Sequence, residues 1–193
     1  MISDATALIL AGGDSRRMGQ DKPTLLLEGE TLLTRVAGSM QALFPEVLVS
    51  VRSPRPDLPW KQVCDADQGA GPLAGVLVGM AAAQTPWLFV LACDMPFISL
   101  PLVEMLAAAR GNYQAVVPVV GGYPQPLAGF YARSALADLQ HFAAGGGRSL
   151  RDSLAQLRVN LVDETALRPH DPLLRSFFDL DTPQDVEAAL KRG

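Results

Sequence analysis

Two adjacent glycines, a cluster of cations and a few isolated aspartates are the residues of this sequence best placed to do chemistry. Gly12 and Gly13 follow the apolar run Ala5–Leu10, and Arg16, Arg17 and Lys22 come soon after. Glycines let a backbone come close to a ligand and expose its N–H donors. Guanidinium and ammonium groups suit phosphate oxygens. The stretch LILAGGDSRRMGQDK therefore reads as a phosphate-holding loop. It is neither of the two commonest. A P-loop ends in Gly-Lys followed by Ser or Thr, whereas Gly19 is followed by Gln20. A dinucleotide fingerprint needs G-x-G-x-x-G, and Gly12, Gly13 and Gly19 lack that spacing.

The acids point to a cation. No Lys or Arg occurs from Gln62 through Ala109, yet Asp65, Asp67 and Asp94 do. A triphosphate brought to such a segment is repelled unless a divalent ion intervenes. Mg²⁺ is held by one or two carboxylates, with water and phosphate oxygens completing its shell. Asp94 is the first candidate ligand. It lies just past the run Trp87–Leu91, with Pro96 stiffening the turn behind it. Ser99 is better placed than Asp94 to cap the helix expected from Leu100. Asp181 is the second candidate, with Asp179 two residues before it. These alternate along an expected strand end, so only one shares a side with Asp94. His141 and His170 make no catalytic pair, and Cys64 and Cys93 make no disulfide framework.

Hydrophobic periodicity supplies the elements that must position these groups. Strands are expected at Ala5–Leu10, Val47–Val51, Gln62–Cys64, Trp87–Leu91, Ala115–Val120, Leu127–Tyr131, Val159–Val162 and Phe177–Leu180. Helices are expected at Thr31–Phe44, Pro72–Ala83, Leu100–Ala109, Ser134–Phe142 and Ser149–Gln156, with a last one opening at Thr182-Pro183. Gly121–Pro126 reads as a loop. Alternating strands and helices imply an α/β fold: one Rossmann-like, three-layer domain over residues 1–193, built on a mainly parallel sheet. Ligands of such sheets bind beyond the carboxyl ends of the strands, here after Leu10, Leu91 and Leu180.

Composition narrows the class. The 193 residues are 49% hydrophobic and 19% charged, as in ordinary globular proteins, with a formal net charge of −4. That balance disfavours nucleic acid as a partner. The apolar runs are too short to span a bilayer, and the opening residues do not read as a signal peptide. A cytoplasmic enzyme or binding domain is expected.

Four blocks then carry a family resemblance. Leu10-Ala-Gly-Gly13 with Ser15, Arg17-Met18-Gly19 and Asp21-Lys22 resembles the signature of nucleotidyltransferases. Gly71-Pro-Leu-Ala-Gly75, Ala92-Cys-Asp-Met-Pro-Phe97 and Phe178-Asp-Leu-Asp-Thr-Pro-Gln-Asp185 are similar to blocks of the molybdenum cofactor guanylyltransferase family. The resemblance implies Mg²⁺-dependent transfer of GMP from GTP to the terminal phosphate of molybdopterin, with release of pyrophosphate. It implies catalytic roles for Lys22, Asp94 and Arg17. It implies nucleotide contacts from Leu10, Ala11, Gly12, Gly13, Lys22, Ser50, Asp65 and Asp94. Ser50 stands where the family often has Asn, and Asp181 where it commonly has Asn. Asp94 and Asp181 are the implied metal ligands. Gly71, Pro72, Leu73, Gly75 and Arg148 are the implied contacts to the pterin substrate. Transient contact with other cofactor-assembly proteins, and with recipient molybdoenzymes or their chaperones, is also implied. Two alternatives remain: the sister reaction with CTP, and a non-catalytic nucleotide-binding protein of the same fold. A sugar-nucleotide synthase is a weaker one, since those chains are usually longer.

Overall fold

The computed structural model describes residues 1–12, 22–65, 71–180 and 185. In chain order its elements are β1 (Ala5–Leu10), the hairpin β2 (Leu26–Leu27) and β3 (Glu30–Thr31), α1 (Leu32–Gln41), β4 (Val47–Val51) and β5 (Lys61–Cys64). There follow α2 (Pro72–Ala82), β6 (Trp87–Ala92), α3 (Leu100–Ala108), β7 (Ala115–Val120), β8 (Tyr123–Pro124) and β9 (Ala128–Ala132). The last are α4 (Leu136–Ala144), α5 (Leu150–Ser153), β10 (Val159–Val162) and α6 (Glu164–Leu167).

Apolar runs covered on both faces make central parallel strands, and Ala5–Leu10, Val47–Val51 and Trp87–Leu91 do so. The main sheet has the order β10-β7-β9-β6-β1-β4-β5, with β8 added to β7. β1 pairs in parallel with both β4 and β6, β4 with β5, and β7 with β10. β9 is antiparallel to β6 and β7, so the sheet is mainly and not wholly parallel. The chain leaves β1 for β4 and β5 on one side, then returns through α2 to β6 on the other. The switch point therefore falls between β1 and β6, where Leu10 is level with Ala92.

Three layers result. One face of the sheet presents Ala7, Ile9, Val49, Phe89 and Leu91 to Leu33, Val36 and Met40 of α1 and to Leu102 and Leu106 of α3. The other face presents Leu8, Leu48, Leu88 and Val90 to Leu73, Val76 and Met80 of α2, with Leu139 of α4 in the same cluster. No described helix is long and apolar enough to cross a membrane.

Several expected boundaries move. α1 starts as read, with Thr31 Oγ1 accepting the Thr34 N–H, but ends at Gln41, where a turn takes the chain to Phe44. The span Ser149–Gln156 divides into α5 and a 3-10 turn over Leu154–Gln156. The Gly121–Pro126 loop contains the short strand β8.

The larger correction concerns Phe177–Leu180, which is not a strand. Arg175–Phe177 forms a 3-10 turn, set by the left-handed backbone of Leu174 (φ +52°) and by Asp171, whose carboxylate accepts the Arg175 and Ser176 N–H groups. The chain then passes over the carboxyl end of β6. β6 already has β1 and β9 as neighbours, so no sheet edge is vacant there. The premise that Asp179 and Asp181 alternate on a strand falls with it.

Candidate functional site

The switch point is where the candidate residues gather. The Cys93 N–H donates to the Leu10 carbonyl (3.2 Å), which places the Asp94 turn beside the start of the glycine loop. The Ala92 N–H donates to the Leu127 carbonyl (3.0 Å) on the other side. Cys93 and Met95 are buried, and Asp94 between them is half-buried. The turn is thus held by apolar flanks, with Asp94 at the sheet's ligand edge. The helix that follows is capped by Ser99, whose Oγ accepts the Leu102 N–H (3.4 Å), so Asp94 is not needed there.

Two more segments converge on that turn. The Leu180 N–H donates to the Asp94 carbonyl (3.0 Å), so the chain arrives at the Asp94 turn one residue before Asp181. Leu27, Leu32 and Leu180 form a small apolar cluster, with Leu25, Phe97 and Phe178 packed against it. This cluster ties the segment after the 3-10 turn Lys22–Thr24 to Phe97, just past Asp94, and to Phe178 and Leu180. Gly13, Arg17 and Asp181 lie outside the described residues, as does the side chain of Lys22. Asp65 is half-buried at the end of β5, its N–H directed to the Val51 carbonyl (3.4 Å). Leu10 and Gly12 are partly exposed and Ala11 is buried.

Ser50 and Gly75 meet each other. A Cβ on Gly75 would stand 2.8 Å from Ser50 Oγ and 2.9 Å from Leu10 Cδ2. Both residues are buried where α2 packs on the sheet. At the start of α2, Gly71 adopts φ +68°, ψ −160°, a conformation that glycine alone tolerates easily. It lies beside the backbone of Arg148: a Cβ there would be 3.9 Å from the Arg148 carbonyl. A pocket of about 140 Å³ opens between these parts, lined by Leu73, Ala74 and Leu77 of α2 and by Ala143, Gly147 and Arg148. The structure therefore brings Arg148 to Gly71 and Leu73, from which it is far in sequence. It offers a small apolar wall with an exposed cation at its rim.

Sequence reasoning missed Arg52. Its Nε donates to the Gly12 carbonyl at 2.6 Å, across the end of β1 and β4. Nothing in the spacing of the sequence announces a side chain bonded to a backbone atom 40 positions away.

The arrangement is a glycine loop and a carboxylate side by side at the switch point of an α/β sheet, which suits an NTP with a divalent ion. Among the described residues no three His, Cys, Asp or Glu groups cluster as a complete protein metal cage. One half-buried carboxylate does fit Mg²⁺, which takes most of its shell from phosphates and water.

Comparison with known proteins agrees. Residues 7–159 match the family described as MobA-like NTP transferase domain. A probable molybdenum cofactor guanylyltransferase of Chloroflexus aggregans is 38% identical over 190 residues, covering 94% of this chain and 91% of that protein. A molybdenum cofactor guanylyltransferase of Syntrophotalea carbinolica is 32% identical, covering 97% of this chain and 91% of its own. The crystal structure of molybdopterin-guanine dinucleotide biosynthesis protein A from Archaeoglobus fulgidus superposes with a TM-score of 0.85 at 27% identity, covering 97% of each chain. The 2-C-methyl-D-erythritol 4-phosphate cytidylyltransferase of Thermus thermophilus, 23% identical with a TM-score of 0.70, shares the fold. Likeness in sequence and in fold thus runs across most of the chain, which belongs to the MobA-like NTP transferase family of nucleotidyltransferases.

Proposed function

We propose that the chain, acting as one nucleotidyltransferase domain in the cytoplasm, transfers GMP from GTP to the terminal phosphate of molybdopterin. A phosphate oxygen of the acceptor attacks the α-phosphorus, the bond to the β-phosphate oxygen breaks, and pyrophosphate leaves. The observation that carries the reading is the Cys93–Leu10 hydrogen bond, which sets the Asp94 turn beside the glycine loop at the switch point. Family likeness names the substrates.

Each group then has a task. The loop after Leu10 receives the triphosphate, with Lys22 and Arg17 supplying positive charge to the phosphates. Asp94, with Asp181 as second ligand, holds Mg²⁺. When bound, that ion neutralises charge on the phosphates and orients them. The backbone carbonyls of Leu10 and Ala11 and the carboxylate of Asp65 suit the N–H donors of guanine. The acceptor lies toward Gly71, Pro72, Leu73 and Arg148, the cation taking its phosphate. Little covalent work falls to the protein, since alignment and charge neutralisation supply the rate.

Pyrophosphate release tests this, measured with molybdopterin and each of GTP, CTP, ATP and UTP, with and without Mg²⁺. Release with GTP alone, and only with the metal, is expected. Release with CTP instead moves the error to base recognition around Leu10, Ser50 and Asp65. Nucleotide binding without release with any nucleotide points to a binding protein.

A further inference from the structure

We propose that Arg52 is a positioning residue that sets the glycine loop for the nucleotide, by holding the Gly12 carbonyl turned toward β4. The inference rests on the nucleotide reading given above and adds a residue to it.

The register shows where Arg52 acts. β1 and β4 run in parallel with Leu10 level with Ser50, and the last backbone rung is the Ala11 N–H donating to the Ser50 carbonyl (2.9 Å). The same offset brings Gly12 level with Arg52. There a side chain takes over: Arg52 Nε donates to the Gly12 carbonyl at 2.6 Å, a short charge-assisted bond. It joins the first residue of the loop to the last strand that can reach it.

The described residues around Gly12 give it no reason to be glycine. Its φ lies outside the left-handed region, and among the described residues a Cβ would make only ordinary contact, 3.5 Å to Arg52 Cγ. The missing side chain instead leaves room for a ligand, and it brings a loose peptide with it. Such a peptide can turn its carbonyl either way. A carbonyl facing incoming phosphates repels them, and a loop that must first be ordered binds more weakly by the fraction of time it is wrong. Arg52 removes that freedom. Its own base is firm: Gln62 of β5 accepts the Arg55 N–H (2.8 Å) and donates to the Arg55 carbonyl (2.7 Å), fixing the loop that follows Arg52.

The test is calorimetric titration of Mg·GTP, without acceptor, into the wild type and R52A, R52Q and R52K. Gln keeps a neutral N–H donor; Lys keeps the charge. R52A is expected to bind about tenfold more weakly. R52Q should return to within about threefold of wild type, because the hydrogen bond and not the charge is the agent. The deficit of R52A should be equal at about 50 and 300 mM KCl. In turnover the loss should fall on KM for GTP, with kcat changed less than about twofold. Melting temperatures of all four should agree within about 2 °C.

Equal binding by R52A and wild type overturns the proposal. So does a result in which R52Q is as weak as R52A, R52K binds like wild type and the difference disappears at high salt, since Arg52 then acts as a charge on the phosphates. A drop in melting temperature shared by R52A and R52Q also overturns it, as loss of fold. Absence of binding by the wild type is a different failure, that of the nucleotide reading itself.

Discussion

Asp94 is the residue on which the proposed chemistry depends most. Its neighbours Cys93 and Met95 are buried, and the backbone around it is fixed by bonds to Leu10, Leu127 and Leu180. Asp94→Asn keeps size and turn geometry while removing the charge. It should reduce turnover by at least about a hundredfold and leave the melting temperature near wild type, as a paired activity assay and thermal melt will show. Tyr131 is the opposite kind of residue. It is fully buried in β9, its hydroxyl donating to the Pro126 carbonyl at 2.8 Å, and burial pushes its ionisation far above the ordinary phenol range. The unfolded chain ionises near pH 10 and the folded chain resists, so this contribution is intact below about pH 10 and is lost as pH rises beyond it. Tyr131→Phe should cost about 1 kcal/mol at neutral pH and flatten the alkaline fall in stability, read from denaturant melts between about pH 8 and 11. At this scale the sequence was legible where a residue's position follows from local context. Asp94 past an apolar strand and Ser99 before a helix were both readable. Arg52 and Tyr131 were not, because each acts on a backbone carbonyl that only the fold brings near.

Helix α2 sets the depth of the site. It lies on the sheet through glycines one turn apart, Gly75 against Ser50 and Leu10, and Gly79 against Leu8. A Cβ on Gly79 would stand 2.5 Å from Leu8 Cδ2. Gly79→Ala therefore forces Leu8 or the helix to shift, at about 1–3 kcal/mol, and should lower the melting temperature by roughly 2 to 10 °C in calorimetry. Helix limits here were readable from Pro72 and the apolar stretch behind it, and β1, β4 and β6 from their runs of buried residues. The contact was not readable, since a glycine in a helix looks the same whether it faces water or a sheet. The Phe177–Leu180 run misled for a related reason. Leu180 is buried and Phe178 half-buried in a cluster with Leu27 and Leu32 over the end of β6, Phe177 packs half-buried against the main core, and none of them lies in the sheet. Periodicity reports burial without saying which surface does the burying.

Across the whole molecule, the segment from Leu167 to Leu180 works as a strap that returns the chain to the sheet edge at Asp94. Asp171, only 7% exposed, accepts the Arg175 N–H at 3.1 Å and the Ser176 N–H at 2.8 Å. Ser176 Oγ accepts the Ser99 N–H (2.9 Å), and Ser99 Oγ donates to the His170 carbonyl (2.8 Å). Three residues after the turn, Leu180 bonds to the Asp94 carbonyl. One buried carboxylate thus fixes the turn from which the chain approaches both proposed metal ligands. Asp171→Ala leaves two N–H groups without their acceptor, which should cost about 1–3 kcal/mol. If the strap positions the metal site, the Mg²⁺ concentration for half-maximal turnover should also rise, about threefold or more. Thr6→Val supplies the control. Thr6 is buried at the opposite end of β1, its hydroxyl 2.8 Å from that of Thr85, so its loss destabilises the sheet far from the ligand edge. A rise in Mg²⁺ requirement with Asp171→Ala and not with Thr6→Val assigns the strap a part in the site. Equal Mg²⁺ requirements in both variants would make it a stabilising clasp alone.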